Sequence, residues 1–190
     1  MAGFVGRWLS DALRLGLPLA LALLAMQVPA VAHGYAAALL QIAEDARRDI
    51  EQRKASARRF YRGAGEADEA VIAALQAVEP ANAQALAASV ERARALRAAH
   101  DRIEAAPPLL RPVTALVDAA EDPAGGDKWA VLRTAFDTHV PQVVLSAAAA
   151  VYGIAGLVAG SFVAELLVSA FGAVFGPGRR GRGDAARFAP

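Results

Sequence analysis

The chain has 190 residues and a formal net charge of +1, from 20 basic and 19 acidic residues. It contains no cysteine, which excludes disulfides, thiol nucleophiles and cysteine-based metal sites, and no basic face is large enough to suggest nucleic acid binding. Charge is segregated along the chain, because two long uncharged stretches, residues 15–43 and 140–164, flank a charged middle region. This pattern is typical of a membrane protein that carries a solvated domain.

The N-terminal region combines a short basic segment with the first apolar stretch. Residues 1–14 are expected in the cytoplasm because their arginines precede the apolar run, and basic residues favour that side. Residues 15–34 are long enough for a transmembrane helix, which needs about 20 apolar residues. The same stretch also fits a signal peptide cleaved after Ala32, with Pro29 breaking the helix before the cleavage site. Both interpretations stay open.

Residues 35–139 are predicted to form an all-α periplasmic domain. Apolar residues at three-, four- and seven-residue steps predict a long helix over residues 35–62, which can continue directly from the first span. Similar signals predict shorter helices at about residues 67–78, 83–105, 111–119 and 127–136. The simplest packing is an antiparallel hairpin of the two longest helices, closed by Trp129, Leu132 and Phe136.

The three histidines are the first candidates for metal or proton chemistry, although none has a recognised metal-ligand spacing. His100 and Glu104 are four residues apart on one helical face, but His100 also lies on an apolar stripe, which is typical of a half-buried histidine. His33 ends the first span and His139 precedes the second, so both are expected at one membrane surface. Interfacial polar residues are the ordinary explanation, and a metal or proton site is the alternative.

Residues 140–175 are predicted to form the second transmembrane helix, with a stripe of small residues along one face. Small residues let helices approach closely in lipid, so this stripe is expected to pack on the first span or on a partner subunit. The predicted helix-packing residues are Ser146, Ala149, Gly153, Gly156, Gly160 and Ala164. Glu165 is a candidate intramembrane charge if the span covers residues 152–175, and it lies at the cytoplasmic interface if the span covers residues 143–164.

The C-terminal segment, residues 176–190, is a predicted cytoplasmic basic tail. Arg179, Arg180 and Arg182 are expected to contact lipid headgroups. Basic residues at both ends place both termini in the cytoplasm and the central domain in the periplasm. The chain has no nucleophile-elbow, phosphate-loop or dinucleotide motif, so the sequence predicts no catalytic residues, no enzyme activity, no metal and no cofactor.

Four short motifs mark the ends of the apolar stretches and the middle of the chain. Gln27-Val28-Pro29 closes the first span, Tyr35 opens an Arg/Asp/Glu-rich helix, Leu109 to Pro112 follow, and Phe136 with Val140-Pro141 leads into a Gly-rich second span. This layout resembles a proteobacterial family of small two-span inner-membrane proteins catalogued as a domain of unknown function. The resemblance covers nearly the whole chain and implies a retained N-terminal span and an inner-membrane location, but no activity.

These features together predict a non-enzymatic integral inner-membrane protein that is a scaffold or accessory subunit of a larger membrane protein complex. Its expected partners are the lipid bilayer and other transmembrane helices, from a second copy or from a larger complex. One alternative is a periplasmic helical binding or chaperone module held by a single C-terminal anchor. A second alternative is a minor role in ion or proton transport through Glu165.

Overall fold

The computed structural model describes residues 2–61, 65–122, 127–141 and 146–175. Within these ranges all regular secondary structure is α-helical and there is no strand, which confirms the predicted all-α fold. The helices are α1 (Ala2–Phe60), α2 (Asp68–Gln76), α3 (Pro80–Ala105), α4 (Arg111–Ala120), α5 (Asp127–Asp137) and α6 (Ala147–Phe175).

Helix α1 is 59 residues long and joins the first apolar stretch to the charged helix without interruption. It passes through Pro18 and Pro29, although proline lacks the backbone N–H that a helix interior uses. The helix break at Pro29 that a signal peptide would use is therefore absent. Helices in lipid tolerate proline more readily, because neighbouring groups and local adjustments satisfy the carbonyls that it frees.

The chain divides into two compact units, which are described separately. Of the described residues, 2–25 and 152–175 form the apolar unit, and those between 26 and 151 form the helical domain. The segments Trp8–Phe60 and Ala147–Gly172 are both long and apolar enough to cross a membrane. Only 11% and 17% of their most apolar stretches are buried, whereas the core helix of a soluble protein is mostly buried.

The core of the helical domain lies between α3 and the C-terminal half of α1. Tyr35 and Leu39 of α1 share one cluster with Ile103 near the end of α3. Ile50 shares the other cluster with Leu86 near the start of α3. Residues 35–39 of α1 therefore pack near the end of α3, and Ile50 of α1 packs near its start. The two helices are antiparallel, as the predicted hairpin requires.

Helix α5 closes this core with a different face from the predicted one. Leu132 packs against the cluster around Tyr35, but Trp129 is 52% exposed and Phe136 is 68% exposed. The expectation that both rings are buried was wrong. The helix instead turns Val131, Leu132 and Ala135 inward against this cluster.

Candidate functional site

The apolar unit contains a backbone-to-backbone helix contact built on two glycines of α6. A Cβ atom at Gly156 would lie 2.5 Å from the carbonyl oxygen of Leu21 and 3.0 Å from Cα of Ala22. A Cβ atom at Gly160 would lie 2.5 Å from Cα of Pro18. Real side chains do not approach backbone so closely, so this spacing of α1 and α6 requires glycine at both positions.

The structure places the remaining residues of the small-residue stripe in different settings. Gly153 and Ala164 are buried beside the two contact glycines, in the apolar unit. Ala149 is also buried, but in the part of α6 that belongs to the helical domain. Ser146 is exposed and immediately precedes α6, where its Oγ accepts a hydrogen bond from the backbone N–H of Ala149 at 3.1 Å. It therefore acts as an N-cap for α6.

Glu165 forms an ion pair with Arg14, a partner that the sequence did not identify. Arg14 Nε lies 3.0 Å from Oε1 of Glu165, and Nη2 donates to Oε2 at 3.2 Å. An arginine that contacts both carboxylate oxygens fixes the relative orientation of the groups as well as neutralising them. The carboxylate of α6 thus has a dedicated counter-ion on α1, within the same apolar unit.

A buried charge cluster links α1 to α2 in the helical domain. Lys54 and Asp68 are 3% and 6% exposed, and Nζ of Lys54 donates to Oδ1 of Asp68 at 2.7 Å. Arg47 donates to the other carboxylate oxygen at 2.8 Å. The Lys54 hydrogen bond outweighs the opposing effect of burial and lowers the pKa of Asp68 to about 2, so the carboxylate is ionised throughout the physiological range.

A second buried carboxylate, Asp118, joins four helices. Its Oδ1 accepts hydrogen bonds from Arg102 at 2.6 Å and Lys128 at 2.9 Å, and its Oδ2 accepts one from the Tyr35 hydroxyl at 3.0 Å. Within the described ranges no buried side-chain nitrogen or oxygen lacks a partner. Both oxygens of Asp68 and of Asp118 accept hydrogen bonds, and both residues connect neighbouring helices.

His33 and His139 line one open cleft of the helical domain, with a volume of about 620 Å³. Nδ1 of His33 lies 3.9 Å from Oε1 of Glu104, whose other carboxylate oxygen is 3.0 Å from Nη1 of Arg111. Nε2 of His139 lies 3.1 Å from Oε1 of Gln27. Among the described residues no group of three or more His, Cys, Asp and Glu side chains could hold a metal ion.

Of the other candidate side chains, His100 has a structural role, and the three arginines of the C-terminal tail lie outside the described residues. Nδ1 of His100 lies 3.0 Å from the carbonyl oxygen of Ala36, and since a carbonyl only accepts, this nitrogen donates. His100 is half-buried and bridges α3 to α1. The predicted headgroup contacts of Arg179, Arg180 and Arg182 lie outside the described residues.

Comparison with known proteins identifies the chain by family. No curated protein and no solved structure matches it. A family model does match, over residues 9–176, which include the apolar stretches of α1 and α6 and the whole helical domain. This range agrees with the near-complete extent of the resemblance to a family of unknown function. The chain belongs to the family described as Protein of unknown function (DUF2937).

Proposed function

We propose that this chain is a non-enzymatic integral protein of the bacterial inner membrane, and that it acts as a scaffold or accessory subunit of a larger membrane protein complex. The observation that carries the proposal is the glycine contact at Gly156 and Gly160. Such contacts stabilise helix pairs in lipid, where close packing replaces the hydrophobic effect. The outward side chains of the pair remain apolar and exposed, among them Leu15, Leu19, Leu24, Ile154, Phe162 and Leu166.

The use of charge in the helical domain supports a structural role. The buried charged side chains of the described residues are Lys54, Asp68 and Asp118, and each is held in ion pairs between helices. A catalytic acid or base must instead face a substrate, with a pKa adapted to that task. The pattern is that of a domain whose charges hold its own helices together while its surface is free to engage partners.

The length of the uncharged helical segments supports a definite membrane placement. Residues 15–32 of α1 lie between Arg14 and His33, and residues 147–164 of α6 lie between Ser146 and Glu165. Each segment has 18 residues and measures about 27 Å at ~1.5 Å per residue. The hydrocarbon core of a bilayer is about 30 Å thick. We therefore place the Arg14–Glu165 pair at the cytoplasmic boundary and residues 35–139 of the helical domain in the periplasm.

This placement bears on the role of Glu165. An interfacial carboxylate with its own arginine counter-ion needs no buried charge. The pair thus favours an architectural role for Glu165, joining the cytoplasmic ends of two helices, over ion or proton transport.

The proposal is tested by isolating the protein with whatever it binds in the membrane. Cells carrying a tagged full-length chain are cross-linked in vivo, solubilised in mild detergent and analysed by native electrophoresis and quantitative mass spectrometry. The expected result is a discrete assembly well above the 19.7 kDa of one chain, with the same partners at reproducible stoichiometry. A monomer alone under these conditions would overturn the scaffold role.

The intact mass of the purified protein tests the single-anchor alternative. A chain beginning at His33 would establish signal cleavage and favour the periplasmic binding or chaperone module. The uninterrupted α1 helix, with its glycine contacts on the N-terminal side of that position, supports retention of the first span.

A further inference from the structure

Helix α4 and the turn before it direct their large apolar side chains away from the core. The α4 apolar face consists of Leu109, Leu110, Val113, Leu116 and Val117, which are 44–54% exposed. The buried side of the helix carries only Pro112, Ala115, Asp118 and Ala119. A folded domain in water normally has the opposite arrangement, and an exposed apolar patch of this kind marks a contact with a partner or a membrane.

The charged residues of α4 are turned away from this face. Arg111 folds back on the end of α3, where Nη1 lies 3.0 Å from Oε2 of Glu104, Nη2 donates to the Glu104 carbonyl at 2.8 Å, and Nε donates to the Ala106 carbonyl at 3.2 Å. Asp118 is 4% exposed and is neutralised by Arg102 and Lys128. No charge from α4 itself therefore interrupts its apolar face.

Within the helical domain, the turn before α4 lies beside the segments of α1 and α6 that belong to the proposed spans. Pro108 and Arg111 line the same cleft as Pro29 and Ala30 of α1 and Ala147 to Ala149 of α6. The turn that presents Leu109 and Leu110 thus lies at the level where the proposed spans leave the bilayer. Pro107 fixes that turn, because its carbonyl accepts hydrogen bonds from the N–H groups of Leu110 at 2.7 Å and Arg111 at 3.1 Å.

We propose that the α4 apolar face inserts into the periplasmic leaflet of the same bilayer and gives the helical domain a third contact with the membrane. The proposal rests on the proposed function, since it requires that α1 and α6 span. The occupant is phospholipid, because the face starts at Leu109, directly after Pro108, which lines the same cleft as Pro29 and Ala147, and because the face carries no charge of its own. Amphipathic helices at membrane surfaces bury their apolar side about 5–10 Å into the boundary between headgroups and acyl chains.

The absence of cysteine from the chain allows a direct test. Single cysteines replace Leu110, Val113, Leu23 and Asp101 in the full-length protein, and each carries a nitroxide in vesicles of phosphatidylethanolamine and phosphatidylglycerol. Electron paramagnetic resonance then compares collision with oxygen, which concentrates in lipid, and with a nickel chelate, which stays in water. All four side chains are exposed or at a helix surface, so labelling preserves the fold, which circular dichroism confirms.

The expected ratio of oxygen to nickel collisions at Leu110 and Val113 is several-fold above that at Asp101 and below that at mid-span Leu23. If both α4 positions match Asp101 while Leu23 remains in lipid, the inference is overturned and the proposed spans stand. If both are shielded from both colliders, protein covers the face and the lipid assignment is equally overturned. Water exposure of Leu23 itself would instead contradict the proposed function.

Discussion

Lys54 and Asp68 meet at 2.7 Å in a part of the helical domain that is nearly closed to water. Removal of one partner from a buried pair costs about 3–5 kcal/mol when the remaining charge is uncompensated, and the lower end of this range applies here because Lys54 keeps Glu51 at 3.0 Å. We therefore expect Asp68→Ala to lower the free energy of unfolding of the helical domain by about that amount. Chemical denaturation of the full-length protein in mild detergent, followed by circular dichroism, measures the change.

Asp45 provides the matched control for this substitution. It pairs with Arg48 at 3.1 Å, but both side chains are more than half exposed. Exposed pairs contribute at most about 1 kcal/mol, so Asp45→Ala should leave the midpoint almost unchanged. Equal losses for the two variants would show that the Lys54–Asp68 pair has no special weight in the fold.

The pKa of Asp68 gives a second prediction, about how the free energy of unfolding changes at acid pH. Its value of about 2 in the folded protein lies below the ordinary 3.8, so its contribution is fully present above pH 3.8 and is lost as the pH falls towards 2. The shift corresponds to about 2 kcal/mol. The difference in unfolding free energy between wild type and Asp68→Asn should therefore shrink across this window. A constant difference from pH 7 to pH 2 would contradict the assigned pKa.

At the scale of residues, hydropathy identified Glu165 as a candidate intramembrane charge but did not identify Arg14 as its partner. Arg14 lies 151 positions away in sequence, and the pairing depends on the register between α1 and α6, which periodicity does not define. The sequence also did not predict that Asp118 is buried. Apolar spacing in α4 would bury Val113 and Leu116, whereas the structure exposes both and buries the aspartate. The proposed contact of α4 with the membrane rests on this exposure of large apolar side chains.

The helices themselves were more predictable than their contacts. The predicted end of α3 at residue 105 is confirmed, and Pro107-Pro108 follows just beyond it. The helix begins at Pro80, three residues before the predicted start at residue 83, because proline suits the first position of a helix. The buried residues of α3 follow its apolar stripe. The prediction of which face of α5 packs on the core was wrong. A stripe of three apolar residues does not define which of two adjacent faces a short helix turns towards the core. Short helices take their orientation from the core that they join.

The glycine contact gives a prediction for α6 as an element. A leucine at Gly160 would collide with the backbone at Pro18, so Gly160→Leu should force α1 and α6 apart, with overpacking costs of about 1–3 kcal/mol. Gly172 is the matched control, since a Cβ atom there would meet nothing within 4 Å. Both substitutions add the same apolar group to the same helix, so only the contact distinguishes them.

Thiol cross-linking measures the separation of the two helices. In a chain with Arg14→Cys and Glu165→Cys, a short bifunctional thiol reagent should link the helices efficiently, because the native side chains meet at 3.0 Å. Gly160→Leu should reduce the yield several-fold, and Gly172→Leu should not. Equal yields in both variants would show that the glycine contact does not set the helix spacing.

For the whole molecule, hydropathy predicted the two apolar helices and the all-α class, because both depend only on composition and period. The sequence allowed the helix over residues 35–62 to continue from the first span, and the two are one 59-residue helix that contributes to both compact units. Prolines at positions 18 and 29 argue locally against continuity. Tertiary contacts hold the long helix at Pro18, which faces Gly160, and beyond Pro29, where Tyr35 packs with Leu96 and Ile103.

The proposed topology makes the final prediction, which uses the natural absence of cysteine. Ser10→Cys should react with a membrane-impermeant maleimide only after the inner membrane is opened, and Ser56→Cys should react in intact cells. Ala155→Cys, midway along the charge-free part of α6, should react in neither condition, because maleimides need a thiolate in water. These three substitutions are small and leave both buried charge clusters untouched.

Each departure from this pattern has a distinct meaning. Labelling of Ser10→Cys in intact cells, with protection of Ser56→Cys, would invert the topology while preserving two spans. Labelling of Ala155→Cys would show that α6 does not cross the bilayer. Loss of residue 10 from the mature protein, with Ser56→Cys still labelled from outside, would favour the single-anchor alternative, since cleavage after Ala32 removes the first span and leaves the domain periplasmic.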